Sequence, residues 1–347
     1  MADTVQSIIW RGDHVAILDQ RLLPTREVYL ECRTCEEVAT AIRTLAVRGA
    51  PAIGIAAAMG LALAGCTSDV DTPDELIRRV HAAAEQLLHT RPTAVNLQWA
   101  LTRMLRHCHT TPDATVASMR QMLIDEALRI QHEDIENNRM LGRTGAHLIS
   151  DGATVMTICN TGSLATGGFG TALGVIRAAA AEGKRVTVVA CETRPLLQGS
   201  RLTAWELRCN RIPYLLITDS MAAWYMRTHR VDLVIAGADR IAANGDVANK
   251  IGTYGLAVLA AAHQVPFVIA APCATFDLTI ESADGIPLEE RSADEVRTMA
   301  GISIAPSDAP VWNPAFDIVP HSYIHAIITE RGIIHPPFQV AIQNLCS

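Results

Sequence analysis

The feature that most constrains the fold is a series of short apolar runs in the second half of the chain, separated by segments with helical spacing. The runs cover residues 154–159, 186–191, 214–218, 233–236 and 267–271. Each run is short enough for a strand, and nearly continuous apolar strands are typical of parallel sheets that are buried on both faces. The pattern therefore predicts βαβ units and a Rossmann-like α/β domain, whose ligands would bind beyond the carboxyl ends of the strands.

The first part of the chain predicts a different architecture. Residues 7–32 alternate apolar and polar side chains in short pieces, which favours an antiparallel meander. Helical spacing or strong helix formers then mark residues 36–46, 53–64, 73–88, 94–107 and 114–149. Because 347 residues exceed the size of most single cores, we expect two domains or one elaborated α/β domain, and the change of pattern along the chain favours two. The smaller one, a meander plus helices, is expected over residues 1–125, and the Rossmann-like α/β domain over residues 126–347.

Composition argues against several classes of protein. The formal net charge of −7 comes without a basic block, so neither a nucleic-acid surface nor a polybasic membrane patch is expected. No apolar run approaches the roughly 20 residues that span a bilayer, and the N-terminus lacks a signal-peptide pattern, so a cytoplasmic protein is expected. The nine cysteines are irregularly spaced, which indicates reduced thiols. Cys32 and Cys35 form a C-x-x-C without a second pair, so we expect no metal site there.

A polar, glycine-rich segment follows the first apolar run. It begins with Cys159-Asn160-Thr161-Gly162. Cys159 is either a buried thiol that packs as a small hydrophobe or a reactive group, because the start of the following helix would favour a thiolate or a bound anion. The glycines suggest a dinucleotide fingerprint, but they begin eight residues after the run and their spacing has one residue too many. A nicotinamide-dependent dehydrogenase is therefore disfavoured.

Charged and amide side chains follow the second and fourth runs. Glu192, Arg194 and Gln198 lie in a turn before a helix, where they form either a binding loop or a solvated one. Asp239 comes closely after the run 233–236. A carboxyl at such an apolar strand end can have its pKa raised by desolvation and serve as a general acid, whereas a turn or N-cap aspartate is the alternative.

Asn249 and Lys250 form the first candidate site for an anion. They are predicted at the N-terminus of a helix over residues 251–262. Backbone N–H groups and the helix dipole favour an anion at that position, and the ammonium of Lys250 would add a full charge. The segment therefore predicts a phosphate site.

Two turns that each carry an arginine form the second candidate site for an anion. Arg48, with Gly49 and Ala50, lies on a turn that Pro51 fixes at the start of a helix, and Arg91 precedes another proline in the same way. Each turn alone is more often structural. Together with the lysine described above, they suggest a clamp for phosphate and sugar hydroxyls across a domain cleft.

Five of these motifs, in this order and at compatible spacing, closely resemble those of the methylthioribose-1-phosphate isomerase family. They lie at residues 48–54, 159–162, 192–201, 237–240 and 249–253. The resemblance covers nearly the whole chain, as far as Phe338. It implies conversion of an aldose, 5-methylthio-ribose 1-phosphate, into a ketose, 5-methylthio-ribulose 1-phosphate, in methionine salvage. It also implies that no cofactor is needed and that the chain forms a homodimer through its second domain.

The resemblance further implies roles for individual residues. Asp239 would be the proton donor, and Cys159 would stabilise the transition state or shuttle a proton. The residues implied to hold the substrate, a small sugar phosphate, are Arg48, Gly49, Ala50, Arg91, Gln198, Asn249 and Lys250; no metal site is implied. After ring opening, hydrogen would move from C2 to C1 either as a proton, with the thiol as base, or as a hydride in a dry site, and the sequence leaves both routes open.

Two other classes of protein occur in the same family. Ribose-1,5-bisphosphate isomerases would need a second cationic site for the 5-phosphate, and the regulatory subunits of the guanine-nucleotide exchange factor of translation initiation are not enzymes. Those subunits generally lack the cysteine and the aspartate of the isomerases. This chain has both, as Cys159 and Asp239, which favours an enzyme.

Overall fold

The computed structural model describes residues 5–91, 94–109 and 115–346. The chain forms two compact units: an N-terminal unit of Asp3–Asn137 with Ser163–Gly170, and a C-terminal unit that is mainly Asn138–Gly162 with Thr171–Ser347. The predicted α/β class, with a parallel sheet and a smaller meander plus helices, is confirmed. The units divide inside a helix that runs from Val116 to Ala146, so the domain boundary expected at residues 125/126 stays a prediction.

The N-terminal unit begins with the predicted antiparallel meander. Its strands are β1 (Ile8–Trp10), β2 (Val15–Leu18) and β3 (Tyr29–Cys32), in the order β1-β2-β3. All four residues of β2 are buried, because it is the central strand and packs on the helices of the same unit.

Helices α1 (Cys35–Arg43), α2 (Ala50–Cys66), α3 (Pro73–Leu88), α4 (Val95–His109) and α5 (Val116–Ala146) follow. Local sequence sets their starts: Thr34 and Glu37 form a capping box at α1, and the Thr72 side chain accepts a hydrogen bond from the Glu75 N–H at α3. The small residues of α2 are almost all buried, as expected of a helix that is apolar on every side.

The C-terminal unit alternates strands and helices before a more irregular final part. Its strands are β4 (Thr154–Thr157), β5 (Thr187–Cys191), β6 (Tyr214–Ile217), β7 (Leu233–Ala236), β8 (Arg240–Ala242), β9 (Val247–Lys250), β10 (Phe267–Ala270), β11 (Phe276–Asp277), β12 (Thr298–Met299), β13 (Ile302–Ser303), β14 (Phe316–Val319), β15 (Ala326–Thr329) and β16 (Gly332–Ile334). Its helices are α6 (Ala172–Ala181), α7 (Ala204–Cys209), α8 (Ala222–Thr228), α9 (Thr253–Ala262), α10 (Asp294–Arg297) and α11 (Phe338–Cys346).

Seven strands of this unit form one sheet in the order β16-β15-β10-β7-β4-β5-β6. All neighbours are parallel except β15 and β16. From β4 the chain builds outwards to β5 and β6, and it then crosses to β7 on the other side of β4. The direction of strand addition therefore reverses between β4 and β7. This reversal is the switch point of the sheet, the place where ligands bind in open parallel sheets.

The structure corrects the predicted environment of Asn249 and Lys250. Both residues lie in β9, not at the start of a helix, because β9 pairs with β8 and with the distant strand β14. The helix begins only at Thr253, after Gly252. The α-helix that follows Cys159 in the chain is α6, which starts at Ala172, and a short 3₁₀ turn at Ser163–Ala165 lies between them.

The cysteines agree with the expectation of reduced thiols. The eight cysteines whose side chains are described are all free. Burial raises the pKa of the Cys32 thiol to about 11 and that of the Cys35 thiol to about 12. In the described part of the chain, no group of three or more His, Cys, Asp or Glu side chains is arranged to hold a metal ion. Within the same ranges, no helix has the length and apolar character required to cross a membrane.

Candidate active site

Three loops at the carboxyl edge of the large sheet carry the two candidate catalytic residues and one candidate substrate-binding residue. Cys159 follows β4, Gln198 lies in the loop after β5, and Asp239 follows β7. Because β4 lies between β5 and β7, the Cys159 loop is flanked by the other two. The loops after β4 and β7 also touch: a Cβ on Gly237 would lie only 2.7 Å from Cγ2 of Thr161. The sheet thus brings the candidate thiol and the candidate acid to its switch point.

Cys159 has an unusual backbone conformation. Its φ angle is 64°, in the left-handed region, and its side chain is 9% exposed. Such a conformation costs a non-glycine residue about 1 kcal/mol or more and persists only where surrounding contacts hold it. Its N–H donates to Oγ1 of Thr193 at 2.8 Å, and its carbonyl oxygen accepts from Oγ1 of Thr203 at 2.6 Å.

Asn160, the residue after Cys159, contacts a buried carboxylate. Nδ2 of Asn160 donates to Oε1 of Glu206 at 2.8 Å, and both side chains are buried. The pKa of the nearby guanidinium of Arg177 is lowered by burial, an effect that the charge of Glu206 partly opposes. The sequence patterns did not indicate Glu206, because it lies inside a helical segment far from the turn in the chain.

Asp239 lies between β7 and β8 and is half-buried. Its N–H donates to the Ala248 carbonyl at 2.9 Å, which joins it to the strand that carries Asn249 and Lys250. The predicted site residues after β7 and in β9 are therefore neighbours.

The loop after β5 holds Gln198 with an unused acceptor. Gln198 is 4% exposed, and among the described residues its Oε1 has no hydrogen-bond partner. A buried acceptor without a donor is destabilising by about 1–3 kcal/mol, so it commonly marks a place where a ligand or water binds. The loop itself is fixed at its start, where Asp219 accepts from the N–H groups of Thr193 and Arg194 at 2.9 and 2.7 Å.

Lys250 supplies a cation at the end of β9. Its Nζ donates to the Ala315 carbonyl at 2.7 Å and lies 4.5 Å from the ring centroid of Phe316. Asn249, one residue earlier, is buried, and its Nδ2 donates to Oγ1 of Thr253 at 3.0 Å.

A carboxylate occupies the helix N-terminus that the sequence predicted as a phosphate site. Asp317 accepts from the N–H groups of Gly252 and Tyr254 at 2.7 and 3.1 Å. Burial raises the pKa of Asp317 to about 6, although these hydrogen bonds and the Lys250 charge act in the opposite direction. The cation available to an anion in this segment is therefore the lysine ammonium, and the N–H groups of Gly252 and Tyr254 are already engaged.

The N-terminal unit carries Arg48, Gly49 and Ala50 at the start of α2. Gly49 precedes the helix with a φ angle of 100°, and a Cβ there would lie 2.6 Å from the Ala165 backbone, so only glycine fits. Nε of Arg48 donates to Oε1 of Gln20 at 3.0 Å. Gln20 is a buried positioning group that the sequence patterns missed.

Arg91 lies in the same unit, after α3, and is half-buried. Its carbonyl accepts from the Ala94 N–H at 3.0 Å. Pro92 and Thr93, on which the predicted arginine turn also rests, lie outside the described residues. The nine predicted site residues thus divide between the units. Arg48, Gly49, Ala50 and Arg91 belong to the N-terminal unit, and Cys159, Gln198, Asp239, Asn249 and Lys250 belong to the C-terminal unit.

Known proteins resemble this chain over its whole length. The model of the Initiation factor 2 subunit family matches residues 46–336. Methylthioribose-1-phosphate isomerase of Syntrophus aciditrophicus is 50% identical, over 99% of this chain and 99% of that protein. The structure of 5-methylthioribose 1-phosphate isomerase from Pyrococcus horikoshii superposes with a TM-score of 0.92 at 44% identity, covering 98% of this chain and 95% of the other.

A structure described as translation initiation factor eIF-2B, subunit delta, from A. fulgidus is also similar, with a TM-score of 0.89 and 45% identity over 99% of both chains. Isomerases and initiation-factor subunits thus share this fold. The chain therefore belongs to the Initiation factor 2 subunit family and, within it, to the methylthioribose-1-phosphate isomerases.

Proposed function

We propose that this protein isomerises 5-methylthio-ribose 1-phosphate to 5-methylthio-ribulose 1-phosphate. The observation that carries the proposal is the pairing of Cys159 and Asp239 on two touching loops at the sheet's switch point. Full-length identity of about one half to isomerases supports the same activity.

Asp239 acts in ring opening. The phosphate on the anomeric oxygen prevents the ordinary opening of a hemiacetal, so an acid must protonate the ring oxygen before the bond from C1 to that oxygen breaks. Asp239 is half-buried at the end of an apolar strand, an environment in which a carboxyl group can keep a proton for this step.

Cys159 acts when hydrogen moves from C2 to C1. In one route the thiolate removes the C2 proton and returns it to C1 of an enediol intermediate, whose 2-hydroxyl loses its proton as the ketone forms. In the other, hydride shifts directly from C2 to C1 while the 2-hydroxyl loses its proton, and the buried thiol shields the reacting carbons from water. Turnover in heavy water separates the two: substantial deuterium at C1 of the product excludes a pure hydride shift, and its absence excludes a proton that exchanges with solvent.

Two polar side chains of the C-terminal unit contribute to substrate binding. Lys250 supplies a positive charge for the phosphate, and the unused Oε1 of Gln198 accepts a hydrogen bond from a sugar hydroxyl. The remaining binding residues are Arg48, Gly49, Ala50, Arg91 and Asn249. No redox cofactor is needed, because the isomerisation involves no net oxidation or reduction of the molecule. The family resemblance implies that no metal is needed either, so dialysis against EDTA should leave turnover unchanged.

The decisive experiment measures turnover of methylthioribose 1-phosphate by the purified protein without added metal or nucleotide. Cys159→Ala and Asp239→Asn are assayed beside it, with Cys209→Ala, at the C-terminal end of α7, as the cysteine control. Both site variants should lose most of the rate, by 100-fold or more, while the control keeps it. An inert native protein would contradict the proposal and would favour a non-catalytic subunit of the same fold. Faster turnover of ribose 1,5-bisphosphate would favour the other isomerase of the family.

We also propose that the chain forms a homodimer through its C-terminal unit. Within the described residues, β6 at the edge of the large sheet pairs with β5 alone. Three consecutive apolar side chains on β6 are exposed, those of Tyr214, Leu215 and Leu216. Trp224 on α8 is also exposed. Sedimentation of a Leu215→Lys/Trp224→Glu variant should show a monomer if this face is the interface. Trp312→Glu, which changes another exposed tryptophan, should remain dimeric.

The proposed location is the cytoplasm. Free thiols at all eight cysteines whose side chains are described suit a reducing compartment. Thiol titration of protein from its native cells tests this, because an oxidised pair would contradict it.

A further inference from the structure

The backbone of Cys159 is held on both sides of its Cα atom by threonine hydroxyls. Thr193 accepts from its N–H at 2.8 Å, and Thr203 donates to its carbonyl at 2.6 Å. These two contacts come from residues distant in sequence, and they enclose a residue whose φ angle is 64°. A non-glycine residue keeps this conformation only when neighbours impose it.

Thr193 is itself firmly fixed. It is fully buried, its Oγ1 donates to the Cys191 carbonyl at 3.1 Å, and its N–H donates to Oδ1 of Asp219 at 2.9 Å. With the hydroxyl proton directed at Cys191, a lone pair of Oγ1 is left for the Cys159 N–H. The orientation of the Thr193 hydroxyl as an acceptor is therefore set before substrate binds.

Thr203 has the complementary arrangement. It is 1% exposed, and its hydroxyl proton is used on the Cys159 carbonyl. Its oxygen accepts from Nδ2 of Asn160 at 3.2 Å, and the same amide nitrogen also donates to the buried Glu206. Each hydroxyl thus makes one donated and one accepted bond, which neither valine nor alanine could reproduce.

We propose that Thr193 and Thr203 are positioning residues for the Cys159 thiol, holding its backbone in the left-handed conformation that fixes the direction of the Cα–Cβ bond toward substrate. The inference rests on the proposed function, in which Cys159 faces the reacting carbons. Without one of these hydroxyls, the N–H or the carbonyl of Cys159 would lose its hydrogen-bond partner, and the backbone would relax toward ordinary angles. A thiol displaced by about 1 Å can lose on the order of 100-fold in rate.

The experiment compares substitutions that remove or keep the hydroxyl. Thr193→Val and Thr203→Val should each lower kcat by about 10- to 100-fold while KM changes less than about threefold. Thr193→Ser and Thr203→Ser, which keep Oγ, should stay within a few-fold of the native kcat. Thr157→Val is the matched control, because Thr157 is equally buried and its Oγ1 bonds to the Ile235 carbonyl at 2.8 Å, two residues before Cys159. It should keep the native kcat.

A second measurement follows the thiol directly. The rate at which iodoacetamide alkylates Cys159, read from the mass of its peptide, should change at least threefold in both valine variants and remain native in the serine variants and in Thr157→Val. If a valine variant does not fold, the alanine variants, which add no methyl group, carry the same expectation.

Two results would overturn the inference. One is a native kcat with a native alkylation rate in the hydroxyl-free variants, and the other is a loss in the serine variants as large as in the valine variants. Failure of the proposed function gives a result that differs from both of these. If Cys159→Ala keeps full turnover, the assigned role of the thiol is wrong, yet the alkylation rates still decide whether the two threonines position it.

Discussion

Gln20 joins Arg48 to the backbone of the segment that begins at Ser163. Its Oε1 accepts from Nε of Arg48 at 3.0 Å, and its Nε2 donates to the Leu164 carbonyl at 2.7 Å. The amide is 1% exposed, so both bonds are made in a protected environment. A single buried side chain therefore orients the guanidinium that is proposed to bind substrate.

Replacing Gln20 with leucine should weaken substrate binding. The guanidinium of Arg48 would lose the acceptor that orients it, so KM should rise about tenfold while kcat falls less. Steady-state kinetics measure both constants. Gln121→Leu is the matched control, because Gln121 is exposed and bonds only to Asp125 at 2.8 Å among the contacts described for it. An unchanged KM in Gln20→Leu would contradict the proposed binding role of Arg48.

Replacing Gln198 with methionine should separate stability from binding. The change removes a buried acceptor that has no partner in the described part of the chain, so the free energy of unfolding without substrate should rise by about 1 kcal/mol or stay unchanged. KM should increase, because the sugar hydroxyl loses its acceptor. Urea unfolding and steady-state kinetics test the pair of effects. A clear loss of stability with native KM would show that Oε1 has a structural role.

The stability of the protein should depend on pH through Asp317. Its pKa is raised from 3.8 to about 6 in the folded protein, so the folded state binds a proton more tightly than the unfolded chain does. The resulting stabilisation is fully present below pH 3.8 and is lost as pH rises through 6. The whole effect is no more than about 3 kcal/mol, since one pKa unit corresponds to 1.36 kcal/mol.

Urea unfolding between pH 4 and 8 tests this expectation. The native protein should lose stability relative to Asp317→Asn as pH rises, because asparagine does not ionise. Asp308→Asn, at an exposed position, should follow the native curve. Parallel curves for the native protein and Asp317→Asn would contradict the raised pKa.

The buried thiols should resist alkylation in the native protein. Burial raises the pKa of Cys108 to about 11 and that of Cys191 to about 12, so at pH 8 only about one thiol in a thousand or fewer is ionised. Iodoacetamide should leave both unmodified, together with Cys32 and Cys35, for which the pKa is raised similarly. Peptide mass spectrometry checks this, and protein unfolded in urea, where every cysteine should react, is the control. Rapid labelling of Cys191 in the native state would show that its strand opens.

Much of the fold follows from local sequence. Helix Pro73–Leu88 and strand Leu233–Ala236 have the predicted bounds, because capping residues and an unbroken apolar run are signals contained within a few neighbouring residues. The sheet edge that carries Cys159 and Asp239 follows from the same signals, because parallel strands present their carboxyl ends together.

The residues that hold the site could not be predicted in this way. Thr193, Thr203, Glu206 and Gln20 act on groups that are far away in the chain, and no short-range pattern distinguishes them from ordinary core or turn residues. Their role depends on which loops the strand order brings side by side.

By itself, the sequence determined the α/β class, the strand-end motifs and the isomerase family, because these depend on periodicity and on residues close together in the chain. Only the tertiary structure decided that Asn249 and Lys250 belong to a strand and that Asp317 fills the helix N-terminus beside them. Both outcomes come from β14, which pairs with β9 from more than sixty residues away. Hydrogen bonds between such distant segments override local helix propensity, since an unpaired buried backbone group costs more than the preference of any single residue.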